Sequence, residues 1–190
     1  PILGCNCQVC QSNDSRNKRF RTSALIQTSD SKNILVDASP DLRTQLLKEK
    51  TQRLDAVIIT HDHADHTHGM DDLRPYSFKR EHPLPVFADE NCGKDLKRKF
   101  SYIFDRHNYF QNKAVLGGGI PMLDLHVARE GVNTIAENEF TLFSLPHGHE
   151  NTLAILHSKM AYITDVRVIP ENVLQILCDA RLELLVIDCL

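Results

Sequence analysis

The chain has 190 residues, 42% of them hydrophobic, and its 22 Lys and Arg against 25 Asp and Glu give a formal charge of −3. Such a chain can bury the core of one globular domain spanning residues 1–190, which excludes a disordered or low-complexity protein. The acidic balance excludes a chain-wide field for nucleic acid, and no signal peptide or membrane-spanning run is visible, so the default compartment is the cytoplasm.

Cysteines open the chain. Cys5, Cys7 and Cys10 fall within six residues, a metal-ligand spacing, and a Cys5–Cys7 disulfide would be strained. Cys92, Cys178 and Cys189 are scattered in apolar or helical segments and read as buried thiols. No disulfide framework emerges, in keeping with a reducing compartment. Aliphatic and β-branched runs bounded by polar turns predict strands at Ser23–Thr28, Ile34–Asp37, Ala56–Thr60 and Leu84–Ala88. A helix is predicted over Pro40–Lys50, capped by Ser39 with Pro40 at its first position, and others over Asp71–Lys79 and Glu90–Phe104. The stretch from Cys92 to about Asn112 lies where a lid could sit, and Tyr102, Phe104, Tyr109 and Phe110 read as packing residues. Lys18-Arg19-Phe20-Arg21 and the group Lys94, Lys97, Arg98 and Lys99 read as solvated faces. Gly117-Gly118-Gly119 lacks the strand-to-helix setting of a phosphate-cradling loop and reads as a turn. Further strands are predicted at Leu123–Val127, Phe140–Leu145, Thr152–His157, Met160–Thr164 and Leu184–Asp188, with a helix over Pro170–Cys178. Early and late strands separated by helices suit an α/β fold of two sheets with outer helices.

The chemistry is concentrated in His61-Asp62-His63-Ala64-Asp65-His66, directly after an apolar strand. A lone His there would read as a polar turn. Three imidazoles and two carboxylates in one short run instead suit zinc, manganese or iron. His61 and His63, two apart, can converge on one ion, and Asp65 and His66 can serve a second. One loop cannot close two metal spheres, so further ligands are expected. His147 in Leu145-Pro146-His147-Gly148-His149 is offered to the first ion, with His149 as its competitor. Asp165 ends another strand, and its two carboxylate oxygens can bridge two cations. Two ions a few Å apart can share a hydroxide, a nucleophile near neutral pH. Asp65 could also orient that hydroxide. Arg74 is a planar fork that suits a phosphate, or equally an ion pair with Asp71 or Asp72.

On these residues the chain resembles the metallo-β-lactamase superfamily, whose HxHxDH signature stands here as His61 to His66. The resemblance spans essentially the whole chain and implies a four-layer αβ/βα sandwich with the metals at one edge of the two sheets. It also implies that Asp37 supports the metal loop. Gly4-Cys5-Asn6-Cys7-Gln8-Val9-Cys10 and His68-Gly69-Met70-Asp71-Asp72-Leu73-Arg74-Pro75 are similar to the phosphoribosyl cyclic phosphodiesterase branch, as is the segment Leu184 to Leu190. In that branch the three cysteines hold a structural zinc together with a C-terminal His. Here no His follows Asp165, so the last His ligand of the metal pair, the fourth ligand of the cysteine site and a leaving-group His are not found. The expectation is a portion of a longer protein, lacking an N-terminal strand and a C-terminal segment.

The resemblance implies a metal-dependent phosphodiesterase that hydrolyses a small cyclic phosphodiester, such as a phosphoribosyl 1,2-cyclic phosphate, with two divalent ions (zinc or manganese) and a structural zinc. Its partner would be that small molecule, not a membrane, with nucleic acid disfavoured and a homodimer allowed. A tRNA 3′-end endonuclease is the nearest rival, but no Gly/Pro-rich RNA-binding insertion is present. A thioester or lactone hydrolase would use the same metals on carbon, and a non-catalytic zinc-binding scaffold is the alternative outside enzymes.

Overall fold

The computed structural model describes residues 1–78, 80–105 and 119–188. Its strands form two five-stranded sheets. The first runs β1 (Ala24–Gln27), β2 (Asn33–Val36), β3 (Ala56–Ile58), β4 (Leu84–Ala88) and β5 (Leu123–Val127). After the antiparallel β1–β2 hairpin, every neighbour in it is parallel. The second runs β10 (Leu184–Ile187), β9 (Met160–Ile163), β8 (Glu150–His157), β7 (Asn138–His147) and β6 (Gly131–Ile135), antiparallel except for the β9–β10 pair.

Alternation of side chains along the strands builds the layers. Ile34, Val36, Ala56 and Ile58 of the first sheet meet Phe140, Leu142, Leu153 and Ile155 of the second, which closes the central core. The opposite face of the first sheet sets Leu35, Val57 and Val86 against Leu42 and Leu46 of α2 (Leu42–Lys48) and Leu96 of α5 (Glu90–Lys99). The outer face of the second sheet sets Phe143, Leu145, Ala154 and Ile163 against Val173 and Leu177 of α7 (Glu171–Asp179). The order helix, sheet, sheet, helix is the expected four-layer sandwich.

Several expected elements differ. Residues Gly131–Ile135 form β6, which the sequence reading left out. The helix expected over Asp71–Lys79 is a 3₁₀ turn, Met70–Leu73, followed by α4 (Arg74–Ser77). Pro75 has no N–H to continue the ladder, so the turn restarts there; Lys79 lies outside the described residues. The helix expected over Glu90–Phe104 breaks at Phe100 (φ −120°, ψ 43°) into α5 and α6 (Ser101–Phe104). Ser39 does not cap α2 as expected. Asp41 occupies the cap position, and the Ser39 hydroxyl instead accepts from the Asp41 amide. A short α1 (Gln8–Gln11) follows Cys7, and α3 (Ala64–Thr67) carries the end of the histidine run. Tyr109, Phe110, Gly117, Gly118, Cys189 and the later part of the lid segment lie outside the described residues. Among the described residues no helix is long and apolar enough to cross a membrane.

Candidate metal centre

The site grows from strand ends. β2 delivers Asp37, β3 delivers Thr60 and the histidine run, β7 ends at His147, and β9 delivers Asp165. This is the general location of ligand sites in α/β sheets, where successive strands release loops on one side. Asp37 has φ 61° and Asp165 φ 54°. Both thus adopt the left-handed conformation that short polar side chains tolerate best, so each strand turns sharply with its carboxylate beside the site.

Asp37 is completely buried. Its carboxylate accepts from the Thr60 amide at 2.8 Å, the Thr60 hydroxyl at 2.9 Å and His66 Nδ1 at 2.7 Å. One side chain therefore ties the start of the histidine loop to its end. The Ala38 amide donates to the His66 carbonyl at 2.7 Å, and the Gly69 amide donates to the Ala38 carbonyl at 2.8 Å. A Cβ at Gly69 would stand 2.0 Å from the Ser39 carbonyl oxygen, so this crossing of two backbones admits only glycine.

Two donor sets then share His61. In the first, His63 Nδ1 stands 3.1 Å from His61 Nε2 and 3.2 Å from His147 Nε2. A tetrahedral ion with nitrogen ligands at about 2.0–2.1 Å would set them roughly 3.3–3.4 Å apart, so the three nitrogens fit a shared ion. In the second, His66 Nε2 lies 2.9 Å from Asp165 Oδ2, and His61 completes the group within 4.8 Å. The Thr164 hydroxyl donates to Asp165 at 2.8 Å, and the Asp165 amide donates to the Asp188 carboxylate at 2.6 Å. Because Asp37 accepts from Nδ1 of His66, the Nε2 face is turned to the site.

Charge follows geometry. Burial works against a proton on His66, but Asp165 and Asp37 outweigh it and its pKa is pushed up to about 10. Asp165 is held well below the usual carboxylate range, first by its hydrogen bond with His66. Burial, then the neighbouring His66 and His63, pull His61 down to about 3. These shifts predict a two-sided pH profile for chelator-treated protein. His66 has a raised folded pKa, so its contribution is complete below an unfolded value of about 6.5 and is lost as pH rises through about 10. His61 has a depressed one, so its contribution is complete above about 6.5 and is lost as pH falls toward about 3. Thermal melts of the chelated protein should peak near pH 6.5, and His61→Asn should flatten the acid limb. An acid limb as steep in His61→Asn as in wild type would contradict this.

The remaining expected residues are distributed around this centre. Asp65 is largely exposed on α3, its Oδ2 3.7 Å from His66 Nε2, and it does not join the group of His61, His66 and Asp165. His149 is exposed and lines a neighbouring cleft of about 420 Å³, while His147 joins the three-nitrogen set. The Arg74 guanidinium pairs with Asp71, whose other oxygen accepts from the Tyr102 hydroxyl at 3.0 Å. Cys5, Cys7 and Cys10 are free thiols that converge within 4.8 Å. The Cys10 amide, aided by the other two thiols, lowers Cys7 to about 7. Among the described residues these three form a group by themselves.

Sequence reasoning missed the supports of the loop. Lys99 Nζ donates to the Asp62 carbonyl at 2.6 Å and also to its carboxylate. Glu150 lies within 4.8 Å of the same carboxylate, which raises the pKa of Glu150. Burial opposes the charge on Asp62, but Lys99 and Glu150 hold its pKa below the ordinary value. Asp62 stood within the histidine run, whereas Lys99 comes from a helix 37 residues away and gave no local signal.

Residues 32–190 match the family model described as β-lactamase superfamily domain. The chain is 36% identical over 183 residues to an octanoyltransferase of Porphyromonas gingivalis, covering 96% of this chain and 35% of that protein. The crystal structure of a diphosphatase from the PhnP family is similar with a TM-score of 0.80 and 31% identity, over 93% of this chain and 63% of that one. Zn²⁺-bound PqqB from Methylobacterium extorquens shares the fold with a TM-score of 0.68 at 18% identity, over 99% of this chain and 68% of that one. The chain thus spans about a third of the octanoyltransferase and less than two thirds of the diphosphatase. With the two-sheet sandwich and the histidine run at its edge, the family match makes this chain a member of the metallo-β-lactamase superfamily, similar within it to the PhnP branch.

Proposed function

We propose that the chain carries a metal-dependent phosphodiesterase centre acting on a small phosphodiester, of which a cyclic ribosyl phosphate is the leading candidate. The observation that carries this reading is the pair of donor sets that share His61. His61, His63 and His147 would hold one divalent ion, and His66 with Asp165 would face a second; zinc and manganese both suit such ligands. Bound there, the cations would supply an activated water and positive charge for the phosphoryl oxygens. Asp37 fixes the tautomer of His66, and the two carboxylate oxygens of Asp165 would serve the ions. Asp65, at the rim, would orient an incoming water. Arg74 would order the loop through Asp71. Cys5, Cys7 and Cys10 would bind a structural zinc, and their free thiols suit a cytoplasmic protein. The PhnP-family diphosphatase supports phosphorus chemistry.

A second reading is acyl chemistry on a thioester, favoured by the octanoyltransferase relative, although about two thirds of that protein lies outside the match. The test uses full-length protein, with metal content by mass spectrometry beside hydrolysis of bis(p-nitrophenyl) phosphate and of an octanoyl thioester. Three metals per chain, and phosphodiester turnover lost in His63→Ala, are expected. Thioester turnover alone would select the second reading. Metal at the cysteines only, with no turnover of either ester, would leave a scaffold.

A further inference from the structure

We propose that Lys99 is a positioning residue for the three-imidazole set, a strut that locks the histidine loop and the hairpin bearing His147 into one geometry. This rests on the metal-dependent reading above.

The strut starts from a fixed point. Asp89 caps α5 by accepting from the Asn91 and Cys92 amides, and Cys92 and Leu96 are buried in the outer core. Lys99 is the last residue of that helix. Its ammonium donates to the carbonyl of Asp62, which belongs to the peptide joining Asp62 to His63. Rotating that peptide would swing His63 relative to His61 and break the bond. The same ammonium holds the Asp62 carboxylate, whose oxygen lies within 4.8 Å of Glu150 and of His63. Glu150 is the register partner of His147 across the β7–β8 hairpin. One chain of contacts therefore runs from α5 through the loop of His61 and His63 to the hairpin of His147. The next residues grip the same element. The Phe100 ring meets His68 edge-on with centroids 5.9 Å apart, and the Tyr102 hydroxyl donates to Asp71.

An exposed ion pair would matter little. Asp62, however, is 6% exposed, so loss of Lys99 strands a buried carboxylate beside His63 and the loop must move to rehydrate it. Outer partners of metal ligands typically change affinity by about 10–100-fold.

The experiment compares wild type, Lys99→Met, Lys99→Arg, Asp62→Asn and the double variant Asp62→Asn/Lys99→Met. Cobalt affinity is read by competition with a chelator, and the nitrogen- and oxygen-ligated cobalt band is followed apart from the thiolate band of the cysteines. Melts of chelated protein establish that each variant folds. Lys99→Met should weaken cobalt binding at the imidazoles by about 10-fold or more and alter the band. Lys99→Arg should recover most of it, and the double variant should be no weaker than Asp62→Asn alone. Glu150→Ala, which removes the contact altogether, tests the hairpin end of the strut should Lys99→Met not fold, with a several-fold loss expected. Wild-type affinity and an unchanged band in a folded Lys99→Met, or in Glu150→Ala if Lys99→Met does not fold, would overturn the strut. Cobalt binding by wild type at the cysteines alone would remove the metal-dependent reading itself, a result visible before any variant is made.

Discussion

Asp165→Asn should lower turnover of a phosphodiester by about 10³-fold while leaving the fold intact. The carboxylate meets His66 Nε2 at 2.9 Å and is oriented twice, by the Thr164 hydroxyl and by the Asp188 carboxylate that accepts from its own amide. Asn keeps the size, the backbone turn and one oxygen for Thr164. It removes the negative charge and the second oxygen with which one side chain could serve two cations. A pair of cations supplies several kcal/mol of transition-state stabilisation, and every 1.36 kcal/mol is tenfold in rate, so a loss of about 4 kcal/mol corresponds to the stated factor. The three-imidazole set does not contain Asp165. Metal analysis should therefore show one ion fewer per chain, with the ion at His61, His63 and His147 retained. Turnover within tenfold of wild type at an unchanged metal count would remove Asp165 from the centre.

This outcome bears on a residue that the sequence made visible by position alone. Asp165, unlike Asp37, which was named through the family resemblance, could be noticed because it ends an apolar strand run, and strand ends are where an α/β sheet releases its functional loops. The histidine run was legible for the same reason, reinforced by its density. The two-sheet architecture was legible because strand-like runs lie on both sides of a helical middle. β6 was not, because Gly131, Asn133 and Thr134 interrupt its apolar character. As the edge of its sheet it pairs with β7 alone, and Val132 on it is exposed. The length of β7 was underestimated because Pro146 reads as a terminator. β6 pairs only as far as Leu142, so Pro146 lies where the strand has one neighbour and a missing N–H is tolerated. The breaks at Pro75 and Phe100 illustrate two levels of legibility. The first is written in the residue. The second depends on Phe100 packing partly into the outer core while its ring edge meets His68, which only the folded chain brings together. Which imidazoles group together was legible only in part. His147 was named with His149 as its competitor, and the hairpin turn at Gly148 (φ 60°) puts only His147 within reach of His63.

Asp37→Ala should be the most destabilising single substitution at the centre, and its effect should appear without any metal. Asp37 touches no exposed surface and serves three donors at once: the Thr60 amide, the Thr60 hydroxyl and His66 Nδ1. Alanine leaves those groups buried. Each unsatisfied donor costs about 1–3 kcal/mol, and removing one member of a buried charged pair costs about 3–5 kcal/mol, so a total of about 3–5 kcal/mol is expected rather than the simple sum. In a chain of this size that corresponds to a melting temperature lower by roughly 6–20 °C. The measurement belongs on chelator-treated protein, where loss of ligand affinity cannot imitate loss of stability. Asp65→Ala is the internal control: its carboxylate is exposed, it sits one residue from His66, and its removal should shift the melt by less than about 1 kcal/mol. Equal, small shifts for the two variants would mean that the loop is held by its backbone crossings at Ala38 and Gly69 alone. A large shift for Asp37→Ala alone would identify the buried carboxylate as the element that lets a run of three neighbouring histidines fold into one centre before any ion arrives.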